Sequence, residues 1–237
     1  MHKDFFVELL TGNPQLFQAI LSFNGLSETQ SCPLPADLGE SPCAGEYAAI
    51  KALWTNPVVR RRYPQQTAGA ILPPFWDFAE ESRRLALLPV ATLQDLGDIF
   101  GAALHGETIA RTIVRHDVLE LRQGLGAALY DYVLQRGRYQ AGSSVRQYFI
   151  SRNQELSVPE KVRLHGLLAL EVCCSTWPDV LRAHAAFHFG DALPFLGAGK
   201  ISAPKQDENR PPAQSLWLNL KKLLLKEVAP QWAHYFN

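Results

Sequence analysis

The stretch SVPEKVRLHGLLALEVCC, residues 157–174, decides the fold class of this chain. It opens with Ser157 and places Glu160 three residues later, which is the spacing of a capping box at a helix start. From Val162 onwards the residues are apolar on almost every side, interrupted by Arg163, His165 and Glu171. Because a helix that is apolar all round is typical of the centre of a core, we predict a central helix over residues 159–174.

Helical spacing of apolar residues continues on both sides of this segment. One side of a predicted helix carries the apolar residues Leu93, Leu96, Phe100 and Leu104. Further helices are predicted from Pro14, over residues 75–88, from Asp117 to Gly137, over residues 178–189 and over residues 213–229. The period of two that marks half-buried strands is nearly absent. The pattern therefore predicts an all-α fold without a substantial sheet.

We expect one compact multi-helix domain over residues 1–237 that ends in an amphipathic helix. Residues 27–45 combine Ser, Pro, Gly and two cysteines without periodicity, which predicts a loop. Residues 197–212, GAGKISAPKQDENRPP, predict a linker before the C-terminal helix.

The composition excludes several classes of protein. Apolar residues make up 47% of the 237 residues, which is enough to build a core and argues against disorder. Lys and Arg total 23 and so do Asp and Glu, so no basic excess points to nucleic acid. A neutral chain of low charge tends to associate with other proteins. No apolar run is long enough to predict a membrane span, and the N-terminal residues do not resemble a signal peptide. Four cysteines, among them Cys173 and Cys174, are too few for a disulfide scaffold and favour reduced thiols in a cytoplasmic protein.

The sequence contains no complete motif typical of a catalytic site. His184 and His188 have the i, i+4 spacing of a zinc-binding pair, but Ala185 stands where a zincin needs glutamate. Packed or surface histidines are the other interpretation of this pair. Lys200 lies in a phosphate-loop-like stretch that lacks the first glycine and the Ser or Thr after the lysine. We therefore expect no enzymatic activity, no metal and no cofactor.

Three features suggest protein contacts. The densest charge run is Arg60, Arg61 and Arg62, which fits either a solvated segment or a docking point for an acidic partner. In the last helix Leu218 and Leu225 lie opposite the main apolar stripe, beside Lys221 and Lys222. Either both sides are buried in one domain, or this side is an apolar contact rimmed by lysines. Aromatic residues at the end of the chain can anchor a partner or close a core. These are Trp232, Tyr235 and Phe236.

Two stretches carry a family resemblance. The first is FGAALHGETI, residues 100–109. The second is RPPAQSL, residues 210–216, followed by Lys222 to Pro230 and a closing His234-Tyr235-Phe236. Together they resemble the SctK family, the cytoplasmic sorting-platform adaptors of bacterial type III secretion systems. The order of the two blocks and their distance from the C-terminal end are also similar.

This resemblance implies a helical adaptor at the cytoplasmic face of the injectisome, the secretion machine associated with virulence. Such proteins bridge the cytosolic domain of the inner-membrane ring protein, SctD, to the pod protein, SctQ. The resemblance implies no catalysis and no cofactor. A helical secretion chaperone and, less favoured, a helical metalloenzyme using His184 and His188 remain as alternatives.

The glycines of the first stretch have a physical interpretation of their own. Glycine inside a helix costs up to about 1 kcal/mol relative to alanine. Close backbone packing commonly offsets such a cost. We therefore predict that Gly101 and Gly106 pack helices together and that His105 is a partly buried, hydrogen-bonding residue rather than a general base.

Overall fold

The computed structural model describes residues 9, 12–24, 73–151, 155–196 and 213–236. The backbone contacts divide the chain into two compact units, residues 1–77 and residues 78–237. One domain over the whole chain stays a prediction. The predicted loop 27–45, the run Arg60–Arg62 and the linker 197–212 lie outside the described residues.

In the first unit, helix α1 spans Pro14–Phe23. The side chain of Asn13 accepts a hydrogen bond from the Leu16 amide at 3.0 Å, and Pro14 occupies the first turn, so the predicted start is confirmed. At the other end the Asn24 side chain donates to the Phe75 carbonyl at 2.8 Å and accepts from the Phe75 amide at 2.7 Å. These two bonds join α1 to the extended residues 73–77.

The second unit holds the rest of the described helices. They are α2 (Val90–Leu104), α3 (Gly106–Arg111), α4 (Arg115–Leu125), α5 (Ala127–Gln135), α6 (Ser143–Ile150), α7 (Val158–Cys174), α8 (Asp179–Phe189) and α9 (Ala213–Leu223). Short 3-10 segments cover Glu81–Leu87, Gly137–Tyr139, Gly190–Ala192, Pro194–Leu196 and Pro230–Tyr235, and a π-helical turn covers Leu224–Val228. The described residues contain no strand, and the all-α prediction is confirmed.

Three predicted boundaries differ from the structure. Residues 73–79 are extended and only Glu81–Leu87 is helical, as a 3-10 segment, where one α-helix was expected over residues 75–88. The helix predicted from Asp117 begins two residues earlier, at Arg115. It also does not run on to Gly137, because Gly126 adopts a φ of 83° and separates α4 from α5. That left-handed conformation favours glycine over residues with a side chain.

Helix α7 lies at the centre of the second unit and crosses α2 at very short distance. The capping box of Ser157 and Glu160 starts α7 as predicted. A Cβ atom built on Gly101 would lie 1.9 Å from the Val162 carbonyl oxygen, and one on Gly166 would lie 2.1 Å from the Gly97 carbonyl oxygen. The two backbones therefore touch where helices are normally held apart by side chains. Gly106 is equally restricted, since its Cβ would lie 2.6 Å from the Arg138 Cα.

A buried histidine pair follows directly after this crossing. His105 Nε2 and His165 Nδ1 are 2.9 Å apart, and the Phe149 ring lies 5.7 Å from the His165 ring. Burial, together with the nearby His165 and Lys161, lowers the pKa of His105 to about 4. His105 is thus a neutral hydrogen-bonding residue at pH 7, in agreement with the prediction from the sequence, although it is more deeply buried than expected.

The glycine crossing predicts a position-specific loss of stability. Gly101→Ala should lower the free energy of unfolding by about 3 kcal/mol, because a backbone oxygen on α7 cannot yield without moving the helix. Gly142→Ala is the matched control, since a Cβ there meets nothing within 4 Å. Denaturant unfolding followed by circular dichroism measures both. Equal midpoints for the two variants would contradict the packing role.

The histidine pair predicts that stability depends on pH. The unfolded chain binds a proton at His105 near pH 6.5, whereas the folded chain resists it down to about pH 4. Stability is therefore fully present above pH 6.5 and falls by about 3 kcal/mol as the pH drops towards 4.

Urea unfolding at several pH values tests this dependence. His105→Asn should flatten the pH profile between 6.5 and 4. His116→Gln, at an exposed position, should leave the profile unchanged. Profiles of the same slope for His105→Asn and the wild type would contradict the assignment.

Candidate protein-protein interfaces

Helix α9 buries one side and exposes the other. Its buried side carries Leu216, Trp217, Leu220 and Leu223, followed by Leu224 in the π-helical turn. On the opposite side Leu218 is 59% exposed, and Lys222 is exposed one turn further along. Leu225 is only half-exposed. An exposed apolar residue, Leu218, thus lies one turn from an exposed cation, Lys222. We call these two residues the α9 face.

Lys221 has a structural role that the sequence did not reveal. Its ammonium lies 2.7 and 2.8 Å from the two carboxylate oxygens of Glu81 and donates to the Phe236 carbonyl at 2.9 Å. An ammonium with these three acceptors is already engaged inside its own unit. Lys221 therefore does not belong to the α9 face. The sequence did not reveal this role, because Glu81 lies 140 positions away from Lys221.

The C-terminal aromatic residues mostly close the core. Tyr235 and Phe236 are buried, and the Phe236 ring centre lies 5.6 Å from that of Trp217. Trp232 is half-buried and meets Tyr235 edge to face at 4.8 Å. Tyr235 and Phe236 therefore close the core and are not anchors for a partner. Of the three aromatic residues, Trp232 alone keeps part of its surface accessible.

A buried arginine holds this tail in place. The Arg84 guanidinium donates to the Phe78 carbonyl at 2.9 Å and to the Tyr235 carbonyl at 2.7 Å. Together with Lys221 it fixes the backbone carbonyls of Tyr235 and Phe236 by charged hydrogen bonds, which are stronger than neutral ones. We call these two contacts the tail clamp. No local sequence pattern announces it, since Arg84 and Tyr235 are 151 positions apart.

A second surface lies between α4 and the start of α7, and the sequence analysis did not identify it. A groove of about 690 Å³ runs there, with Leu121, Val158 and Pro159 among its apolar lining and Asp117 and Glu120 on its rim. Beside it the segment that joins α3 to α4 exposes Ile113 by 88% and Val114 by 57%. We call this region the α4 groove. Only the exposed pair Ile113-Val114, next to charged residues, could have signalled it in the sequence.

The α4 groove includes the start of α7, and the first turns of α9 pack near its end. Gly124 of α4 packs against Pro159 at the start of α7. At the other end Cys173 and Thr176 line a smaller cavity together with Gln214 and Trp217 of α9. Since α7 has 17 residues, its ends are about 25 Å apart. The α4 groove is acidic and the α9 face is basic, so the two surfaces also differ in charge.

The candidate catalytic residues are not assembled into a site. His184 is fully buried whereas His188 is exposed, so the pair does not face one common space. Among the described residues, His116, Asp117 and Glu120 form the one group of three possible metal ligands within reach of each other. All three are exposed, and neither His184 nor His188 belongs to that group.

The two adjacent cysteines are free and buried. Burial raises the pKa of Cys173 to about 12 and that of Cys174 well above its usual value. Both are therefore protonated thiols at neutral pH, which are poor nucleophiles and poor metal ligands. Their position in α7 gives them a packing role in the core.

The described helices include none that is long and apolar enough to cross a membrane. The comparisons with known proteins found no matching family model, no matching curated protein and no matching solved structure.

Proposed function

We propose that this chain is a non-enzymatic adaptor of a bacterial type III secretion sorting platform. It bridges the cytosolic domain of an SctD-type inner-membrane ring protein to an SctQ-type pod protein, and it resides in the bacterial cytoplasm at the face of the injectisome. The observation that carries the proposal is the α4 groove with its carboxylate rim, accompanied by the exposed Leu218 and Lys222 on α9. Apolar patches with polar rims commonly mark sites of protein contact.

The stretches that resemble the SctK family support the proposal through their place in the fold. The stretch 100–109 supplies Gly101 and His105, which join α2 to α7 in the core. The described part of the second stretch starts α9, whose outer side carries Leu218. The first stretch thus builds the central helix crossing, and the second leads into a candidate contact surface.

Bridging by two surfaces explains how modest contacts can localise a large partner. Once one surface is bound, the second binding event occurs at a high effective concentration. This gain requires that both partners fit at once. The groove and the α9 face are built from different helices, so one partner can bind each of them. Opposite charges on the two surfaces further favour a defined orientation.

The α9 face predicts a separation of binding from stability. Leu218→Ser should weaken capture of one partner and leave the melting temperature unchanged, because Leu218 is largely exposed. Leu220→Ser should instead lower the free energy of unfolding by about 3 kcal/mol, because Leu220 is fully buried two positions away. Ile150→Ser, at a partly exposed apolar position of α6, is the control for general surface effects.

The proposal is tested by tagging the chain in cells that assemble a type III secretion system and identifying co-purified proteins by mass spectrometry. Recovery of both the ring protein and the pod protein is expected, with one of them reduced by Leu218→Ser. Recovery of neither from such cells would refute the adaptor function. Recovery of the pod protein only from cells without assembled basal bodies would favour the chaperone alternative.

A further inference from the structure

We propose that the α4 groove is the docking site for a partner segment that presents an apolar side chain next to a lysine or arginine. This inference rests on the proposed adaptor function and names the chemistry of one of its two contacts. It is carried by the combination of a groove, an exposed apolar edge and carboxylates without a fixed cation.

The shape of the groove fits a polypeptide segment. Its apolar lining comes from two separate helices, with Leu121 on α4 and Val158 and Pro159 at the start of α7. Gly124 keeps these helices in contact, because a Cβ there would lie 2.6 Å from the Pro159 Cγ. Two walls of the groove are thus helices held against each other, and Thr112 and Ser157 from the connecting segments complete the lining. A volume of about 690 Å³ accommodates several side chains.

An exposed apolar edge adjoins the groove. Ile113 and Val114 follow directly after Thr112, which lines the groove itself. Ile113 has the highest exposure among the large apolar side chains described, at 88%. Single exposed apolar residues are common on protein surfaces, but here two adjacent ones directly follow a residue of the groove lining. This patch can bury an apolar side chain of a partner.

The rim of the groove supplies the charge selectivity. Asp117 and Glu120 are 55% and 70% exposed, and their described ion-pair partner is His116, at 3.6 and 3.9 Å. Among the described residues, no lysine or arginine forms an ion pair with either carboxylate. A lysine or arginine of a partner would complete these pairs. The two carboxylates disfavour an acidic segment at their part of the rim, whereas the Arg163 guanidinium, which donates to the Gly124 carbonyl at 3.2 Å, is a cation beside the lining.

The experiment uses the purified full-length chain with the purified pod protein and the purified cytosolic domain of the ring protein, in biolayer interferometry. Asp117→Lys/Glu120→Lys should weaken binding of one partner roughly tenfold, mainly through slower association, and should reverse the effect of added salt. Ile113→Ser should weaken the same partner mainly through faster dissociation. Binding of the other partner should be unchanged by either variant and reduced by Leu218→Ser.

Matched controls isolate the site. Asp95→Lys makes the same charge change at an exposed position on α2, and Ile150→Ser makes the same apolar change on α6. Both should bind like the wild type, and circular dichroism at the assay temperature checks that every variant keeps the helix content of the wild type. A lysine-to-glutamate change in the partner segment should restore binding to the double lysine variant.

The possible results separate failure of the groove as a docking site from failure of the adaptor function. If the groove variants bind both partners like the wild type, the groove is not a docking site, while the adaptor function stands. If the wild type binds neither partner, the adaptor function fails and the groove loses its proposed occupant. If light scattering shows a wild-type dimer that the double lysine variant converts to a monomer, the occupant is a second copy of this chain and the proposal is overturned.

Discussion

The contact of two helix backbones at Gly97, Gly101 and Gly166 is the constraint on which the second unit depends. A side chain at Gly101 or Gly166 would overlap a carbonyl oxygen of the opposite helix. The crossing therefore fixes α7 relative to α2 more tightly than interdigitated side chains would. Everything that matters for the proposed contacts is then attached to α7, with α4 at its first turn and α9 near its last. The buried glycines of the crossing therefore determine where α4 and α9 lie at the surface.

The sequence was most informative where the deciding interaction is local. The Asn13 cap and the Ser157 capping box both follow from spacings of a few residues, and the structure contains both. The spacing also placed Leu218 opposite the main apolar stripe, but it left open whether that side is buried or exposed. The all-α fold follows from the same short periods. The absence of strand-like alternation was as useful here as the presence of helical stripes.

Distant partners account for what could not be predicted. Residues 75–88 have helical spacing, yet Phe78 and Ala79 stay extended and their carbonyls accept hydrogen bonds from Arg84. Lys221 looked like a free rim cation because Glu81 is 140 positions away. The α4 groove needs residues from two segments that only the fold brings together. Gly126 shows a further difficulty, since a glycine can continue a helix or end it and its φ is not encoded locally.

The net charge of zero conceals a separation of charge along the molecule. The carboxylates of Asp117 and Glu120 lie near the start of α7, whereas the exposed Lys222 belongs to the helix that packs near its end. An average over the sequence cannot register such polarity, although it governs how a protein orients itself towards its neighbours. Neutral overall charge and charged recognition surfaces are thus compatible in this chain.

The tail clamp has a consequence for the moment at which the protein becomes folded during its synthesis. Arg84 and Lys221 each have one acceptor in the tail, the carbonyls of Tyr235 and Phe236, so the packing of the second unit is incomplete while those two residues are still inside the ribosome. Until then the guanidinium of Arg84 lacks the Tyr235 carbonyl as an acceptor, and Trp217 lacks the Phe236 ring. Contacts of such large sequence separation also form slowly. The second unit therefore reaches its final packing only after Tyr235 and Phe236 have left the ribosome.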